Sequence, residues 1–307
     1  MSRKRILVPM DFGPPSDAAL EFAGELAAQL NAMLSCIYVI EETGRKPDQQ
    51  IDHDLVHKQR REAGDRLSKK VHSILRTREE VSFELIIASG KVHQKVLEKS
   101  IDLDAGLIVM GRSKSGRSDS EEMGSNARKI AANSLVPVIT LPKRRKEQKM
   151  RLILPLDLDS SYSDQLNWGL EFALLLNASV SALAVTERSR SSLRPVYLYK
   201  LNETREFFDR RKIECSIHLL ENRTGVSGEI ISFSSAQADG IILMMNRQEH
   251  LSSKPYLGTM AGEVLAKADV PVLYIHSKNK SRYWMDQLTH PGIPKRPPTV
   301  SLEDHFN

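Results

Sequence analysis

The sequence predicts an α/β fold, and predicts it twice. Short apolar runs alternate with segments of helical period, which argues for a parallel sheet with helices on both faces. Anchor residues of the first half return in the second at constant offsets. In residues 106–126, an apolar run (107–110) ends in Gly111, and after a polar loop Gly124-Ser125 opens an amphipathic helix. A strand ending in glycine and feeding a helix N-terminus is how α/β folds present backbone N–H groups to a phosphate.

In chain order, residues 5–10 read as a strand ended by Pro9 and Asp11. After the turn FGPPSD, Ser16-Asp17 is placed to cap a helix with apolar positions Ala19, Phe22, Ala23, Leu26, Ala27 and Leu30. Residues 34–40 form a second strand, followed by a polar loop (41–52) and a long charged helix to about Arg76. The third strand is 82–88, and Gly90 turns into a helix over 92–99. Then come the strand 107–110, a helix over 124–133 and a fifth strand, 137–141.

The second half repeats this plan. Asp157 echoes Asp11, and Leu176-Asn177-Ala178 echoes Leu30-Asn31-Ala32, all shifted by 146. Gly240 against Gly106, Gly258 against Gly124, and Val270-Pro271-Val272 against Val136-Pro137-Val138 are shifted by 134. Two constant offsets separated by one deletion of 12 residues identify a tandem duplication. The boundaries read as repeat 1 over 1–143, a basic linker over 144–150, repeat 2 over 151–278 and an extended tail over 279–307. A chain of 307 residues suits two domains of about 150 each.

Composition excludes several classes. No run approaches the roughly 18 apolar residues of a membrane span, and MSRKRILVPMDF lacks the apolar core of a secretion signal. Cys36 and Cys215, one on a strand of each half, read as small core residues, which with the rest places the protein in the cytoplasm. The formal charge of +5 comes largely from KRRKEQK at 143–149 and from 278–282. Basic runs without interleaved aromatics read as solvated connectors, so nucleic acid is not the expected partner.

VPMDF after the first strand, LIVMG after the fourth, Gly-Ser at a helix start and VPV before the last strand resemble the universal stress protein family. The likeness spans residues 5–143 and again 151–278, as in tandem members. It implies two doubly wound five-stranded parallel sheets of order 3-2-1-4-5, paired through their fifth strands as an internal pseudo-dimer. A homodimer of whole chains and unknown protein partners stay open. With that order the winding reverses between strands one and four, where α/β folds bind ligands, and those strands end at Asp11 and Gly111.

Nucleotide-binding members carry G-x2-G-x9-G-[ST] after strand four. Here the pattern reads Gly111, Lys114 in place of the second glycine, then Gly124-Ser125. The resemblance implies ATP, with Mg, as the ligand of repeat 1. Asp11 would accept from the ribose hydroxyls and the backbone near Val39 would read adenine. N–H groups around Gly111, Gly124, Ser125 and Asn126 would face the phosphates, with Lys114 as a cation. Lys114 removes the freedom a loop glycine has. Asp11 as a turn cap, Gly111 as a strand terminator and Gly124-Ser125 as an unliganded helix start are the plainer alternatives.

In repeat 2, Met245 stands for Gly111 and Gln248 for Lys114, leaving Asp157 and Gly258-Thr259. That crevice is expected to hold no nucleotide. GRSKSGRS at 111–118 approaches a P-loop with Arg117 for the lysine, but the helix starts too late. No zinc spacing, serine elbow or carboxylate pair is present, so the protein reads as no enzyme, with at most slow ATP hydrolysis. Two functions follow: a stress-adaptation module that binds ATP in repeat 1, or an interaction scaffold whose two crevices have both decayed.

Overall fold

The structure, a computed structural model, describes residues 5–41, 53–112, 123–142, 150–237, 239–246 and 257–276. The loop positions Lys114, Arg117 and Gln248, linker residues 144–149 and the tail lie outside the described residues. The first half runs β1 (Arg5–Pro9), α1 (Pro14–Leu30), β2 (Met33–Ile40), α2 (His53–Leu75), β3 (Phe83–Ser89), α3 (Val92–Asp102), β4 (Leu107–Gly111), α4 (Ser125–Asn133) and β5 (Val138–Leu141). The second runs β6 (Arg151–Pro155), α5 (Ser163–Leu175), β7 (Ser179–Thr186), a 3-10 turn (Arg188–Leu193), α6 (Arg194–Asp209), β8 (Cys215–Glu221), α7 (Val226–Ser235), β9 (Gly240–Asn246), α8 (Thr259–Lys267) and β10 (Val272–His276).

All ten strands form one sheet, ordered β3-β2-β1-β4-β5-β10-β9-β6-β7-β8. Each half is parallel within itself and has the 3-2-1-4-5 order; β5 and β10 meet antiparallel, Val272 opposite Thr140. Strands buried on both faces need apolar runs rather than alternation, and β4 and β10 supply them as LIVMG and VLYIH. One apolar layer lies under α1, α2, α5 and α6, the other under α3, α4, α7 and α8, and both pass through the two halves.

The strand register reproduces the duplication. Ile6 pairs with Leu34 and Leu107 as Leu152 pairs with Val180 and Ile241. Between them lies a refinement: Leu34 opposite Phe83 becomes Val180 opposite Cys215, a shift of 132 on the third strand. The second half therefore lost more before β8 than a single deletion implies. It regained two residues in the turn after β8, where residues 222–225 replace residues 90–91.

Helix α1 begins earlier than Ser16-Asp17 would set it. Gly13 is the N-cap and Pro14 stands at N1, where proline's missing N–H is no loss and its φ is already helical. Ser16 and Asp17 fall inside the first turn, and the Ser16 hydroxyl donates back to the Gly13 carbonyl at 2.9 Å. This early start brings the backbone of α1 against the end of β4.

Candidate functional site

The winding of the first half reverses between β1 and β4, and the C-terminal ends of the strands there open a crevice. Asp11 stands exposed at its lip. Its Oδ1 accepts the Gly13 N–H at 2.9 Å, an Asx turn that leads the chain into α1. Phe12 between them has φ 63°, the left-handed region.

Val39 is buried on β2. Its backbone direction follows from the ladder. The Ile37 carbonyl accepts from Met10 on the β1 side, and the Ile40 carbonyl accepts from Gly90 on the β3 side. In a parallel strand the side alternates with each residue, so the Val39 carbonyl faces the crevice beyond the last residue of β1.

Gly111 ends β4. A Cβ there would lie 2.4 Å from the Pro15 carbonyl carbon and the Ser16 nitrogen. The packing of α1 against β4 therefore demands this glycine, whatever else it does. Gly124 caps α4 with φ −52° and ψ 139°, a conformation open to any residue. Ser125 begins the helix and Asn126 turns inward, its amide donating to Glu41 Oε1 at 3.5 Å. No acidic residue occupies the first turn of α4, so its N-terminal partial charge is left to attract an anion.

Asn126 lines a cavity of about 230 Å3 together with Glu41, Gly90, Lys91, Val92, His93 and Lys129. Gly90 has φ 128°, which requires glycine, and its N–H ties the β3–α3 turn to the end of β2. Lys91, His93 and Lys129 thus share the lining with one carboxylate, Glu41, beside the α4 N-terminus. Glu41, Lys91, His93 and Lys129 belong to no motif; the glycine after strand three was the one sequence signal pointing to them.

The same place in the second half is built differently. Asp157 Oδ1 accepts the Asp159 N–H at 3.1 Å and its Oδ2 accepts the Ser160 hydroxyl at 2.7 Å. By the shift of 134, Met260 takes the place of Asn126, Glu263 of Lys129 and Ser227 of His93. Ser227 donates to Glu263. Asn222 of the longer turn donates to Glu187 at 2.6 Å. Met245 packs against the apolar layer, in the space that opens because α5 starts six residues after Asp157 rather than three.

Arg112 follows Gly111 and is 5% exposed. Its guanidinium donates to the carbonyls of Leu265 and Ala268 and, at 3.2 Å, of Val270, at the C-terminal end of α8. Burial pushes this guanidinium down to about 10, with Asp269 opposing, so it is charged at neutral pH. No motif singles out Arg112.

Among the described residues no group of three His, Cys, Asp or Glu side chains could hold a metal ion, and no helix is long and apolar enough to cross a membrane.

Fold and strand order together define an α/β protein of the doubly wound class, with its crevice between β1 and β4. Residues 2–142 match the model of the universal stress protein family, so the first half of the chain carries a domain of that family. It is similar to the crystal structure of a universal stress protein from Archaeoglobus fulgidus DSM 4304, at 19% identity and TM-score 0.64, over 89% of this chain and 96% of that one. It is also similar to a functionally unknown protein, PA1789, from Pseudomonas aeruginosa PAO1, at 15% identity and TM-score 0.63, over 94% of this chain and 97% of that one. A shorter match, 26% identical with TM-score 0.34, is the universal stress protein from Archaeoglobus fulgidus in complex with dAMP; it covers 46% of this chain and 98% of that one. No curated protein matches the sequence.

Proposed function

We propose that the chain is a tandem universal stress protein, with repeats over 1–143 and 151–278, that binds one adenine nucleotide in the first-half crevice and none in the second. The observation that carries this reading is the cavity at the N-terminus of α4, lined in the first half by the cations Lys91 and Lys129 together with His93 and one carboxylate, Glu41. In the second half the matching positions hold Glu263 and Met260, a carboxylate and an apolar side chain. An anion is favoured in one and repelled in the other.

In this reading the Val39 carbonyl accepts from the adenine amino group and Asp11 meets the ribose. The N–H groups of Ser125 and Asn126 hold phosphate oxygens, with Gly111 keeping the floor low and Lys114 adding a charge. Among the described residues the roles assigned are binding and orientation, with none assigned as a base for hydrolysis. Native mass spectrometry of the whole chain with ATP tests it. One nucleotide per chain is expected; none at millimolar ATP overturns it. Gly124→Val is expected to abolish binding without unfolding, because φ −52° accepts valine.

A second reading, an interaction scaffold without nucleotide, is favoured by one observation: Asp11 already accepts the Gly13 N–H of its own turn. Partner capture that is indifferent to ATP would select it.

A further inference from the structure

On the opposite layer of the same half lies a second cavity, of about 300 Å3, lined by Phe12, Arg66, Lys69, Lys70 and Ser73. Every polar lining side chain is a cation or a hydroxyl, and none is a carboxylate. Arg66 Cζ lies over the Phe12 ring, 4.0 Å from its centroid, and Phe12 meets Tyr38 in a tilted contact with centroids 4.6 Å apart. A guanidinium on a ring face keeps its charge and has donors enough to meet a phosphate in two-point fashion. Phe12 is brought there by backbone at φ 63°, which a bulky residue adopts only where its surroundings enforce it. Lys70 is engaged with Asp17 at 2.6 Å, and the Ser73 hydroxyl donates to the Lys70 carbonyl at 2.8 Å. The exposed pair Arg66 and Lys69 remains to meet a ligand.

The second half shows what a structural use of the position looks like. Leu158 replaces Phe12 and is buried, and the nearby cation, Arg190, is paired with Asp159, which also accepts from the Tyr197 hydroxyl at 2.7 Å. There the charge is neutralised within the chain; in the first half it is stacked on a ring and left positive.

We propose that the Phe12–α2 cavity is a second anion site, taking a phosphate group of a small phosphorylated molecule on Arg66 and Lys69. This goes beyond the crevice reading and shares no side chain with it. The test is calorimetric titration of the full chain with inorganic pyrophosphate, using Arg66→Gln/Lys69→Gln, both exposed, and Gly124→Val. Saturable binding is expected in the unaltered chain and in Gly124→Val, with affinity about tenfold lower or worse in the double variant. No saturable binding, or affinity kept in the double variant and lost in Gly124→Val, overturns the site. With the site standing, competition by ATP assigns the phosphate to a nucleotide, and independence from ATP assigns it to a separate molecule.

Discussion

The two halves of the chain share one topology and one strand register, yet the same positions are solved in opposite ways. At the end of the fourth strand the first half has Gly111, against which α1 packs backbone to backbone; the second has Met245, filling the gap that a later helix start leaves. At the end of the last helix, Ser134 of the first half donates to the Val136 carbonyl at 2.7 Å and accepts the Val136 N–H at 3.2 Å. Ala268 holds that place in the second half and has no hydroxyl, and there Arg112 arrives from the other half to serve the carbonyls instead. Across the sheet, Arg5 pairs with Glu84, which also accepts from Ser35 at 2.7 Å. The matching Arg151 meets Ser181 and, through it, Ser216. A duplicated fold is thus held by a shared apolar register, while its polar contacts diverge freely because each needs only local satisfaction.

The largest test of this comparison exchanges the ends of the fourth strands. Gly111→Met places a Cβ 2.4 Å from the backbone of α1, where no flexible neighbour can yield. We expect a loss of about 3 kcal/mol or more. Met245→Gly removes a packed side chain and is expected to lower stability by about 2–5 kcal/mol. Urea unfolding of each variant reads both. A Gly111→Met chain as stable as the parent would show that α1 does not sit on β4.

How much of this was legible beforehand follows from distance along the chain. The α/β alternation rests on apolar runs and on turns of a few residues, and it was readable; the 3-2-1-4-5 order was implied by the family resemblance, and the first half has it. Gly111 was readable as a special glycine, but its reason was not, because the atoms it must clear belong to Pro15 and Ser16 on another element. Arg112 was not singled out, because the carbonyls that bury it lie more than 150 residues further on. The cavity at Asn126 draws Glu41 from the end of β2, Lys91 from the β3–α3 turn and Lys129 from helix α4, and no linear spacing expresses such a meeting. Asp11 was readable as both ligand and cap, and the structure displays the capping contact.

Next in size is the clamp between halves. Arg112→Met leaves the Leu265, Ala268 and Val270 carbonyls without their donor, and a loss of about 2–4 kcal/mol is expected. Adding Ala268→Ser imports the local solution of the first half and should restore about 0.5–1.5 kcal/mol of it. A double variant no more stable than Arg112→Met would show that the two solutions are not interchangeable. Smaller again is Ser216→Glu, which gives Arg151 a carboxylate at the position of Glu84, beside Asp239, whose Oδ2 lies 3.7 Å from its Nε. Arg151 Nε is buried without a hydrogen-bond partner, so a gain of about 0.5–1 kcal/mol in thermal unfolding is expected. A loss instead would mean that burying the new carboxylate outweighs the pairing.

The smallest effect is one of pH and isolates the same ladder. His218 Nε2 lies 3.1 Å from the Ser216 hydroxyl and its ring 4.7 Å from Phe233. Burial, then the charge of Arg151, pushes this imidazole below its ordinary range. The folded protein therefore prefers it neutral, whereas the unfolded chain takes up its proton near the usual value of about 6.5. As pH falls below that value, the unfolded state binds protons that the folded state does not, and stability is lost; above it, the contribution is complete. The first half has Ile86 at the matching position and no such penalty. His218→Gln should flatten the stability profile between neutral pH and about 5.5 while leaving stability at pH 8 nearly unchanged. If the slope survives the substitution, the proton uptake belongs to another group, and the ladder of the second half tolerates a charged histidine as readily as that of the first would.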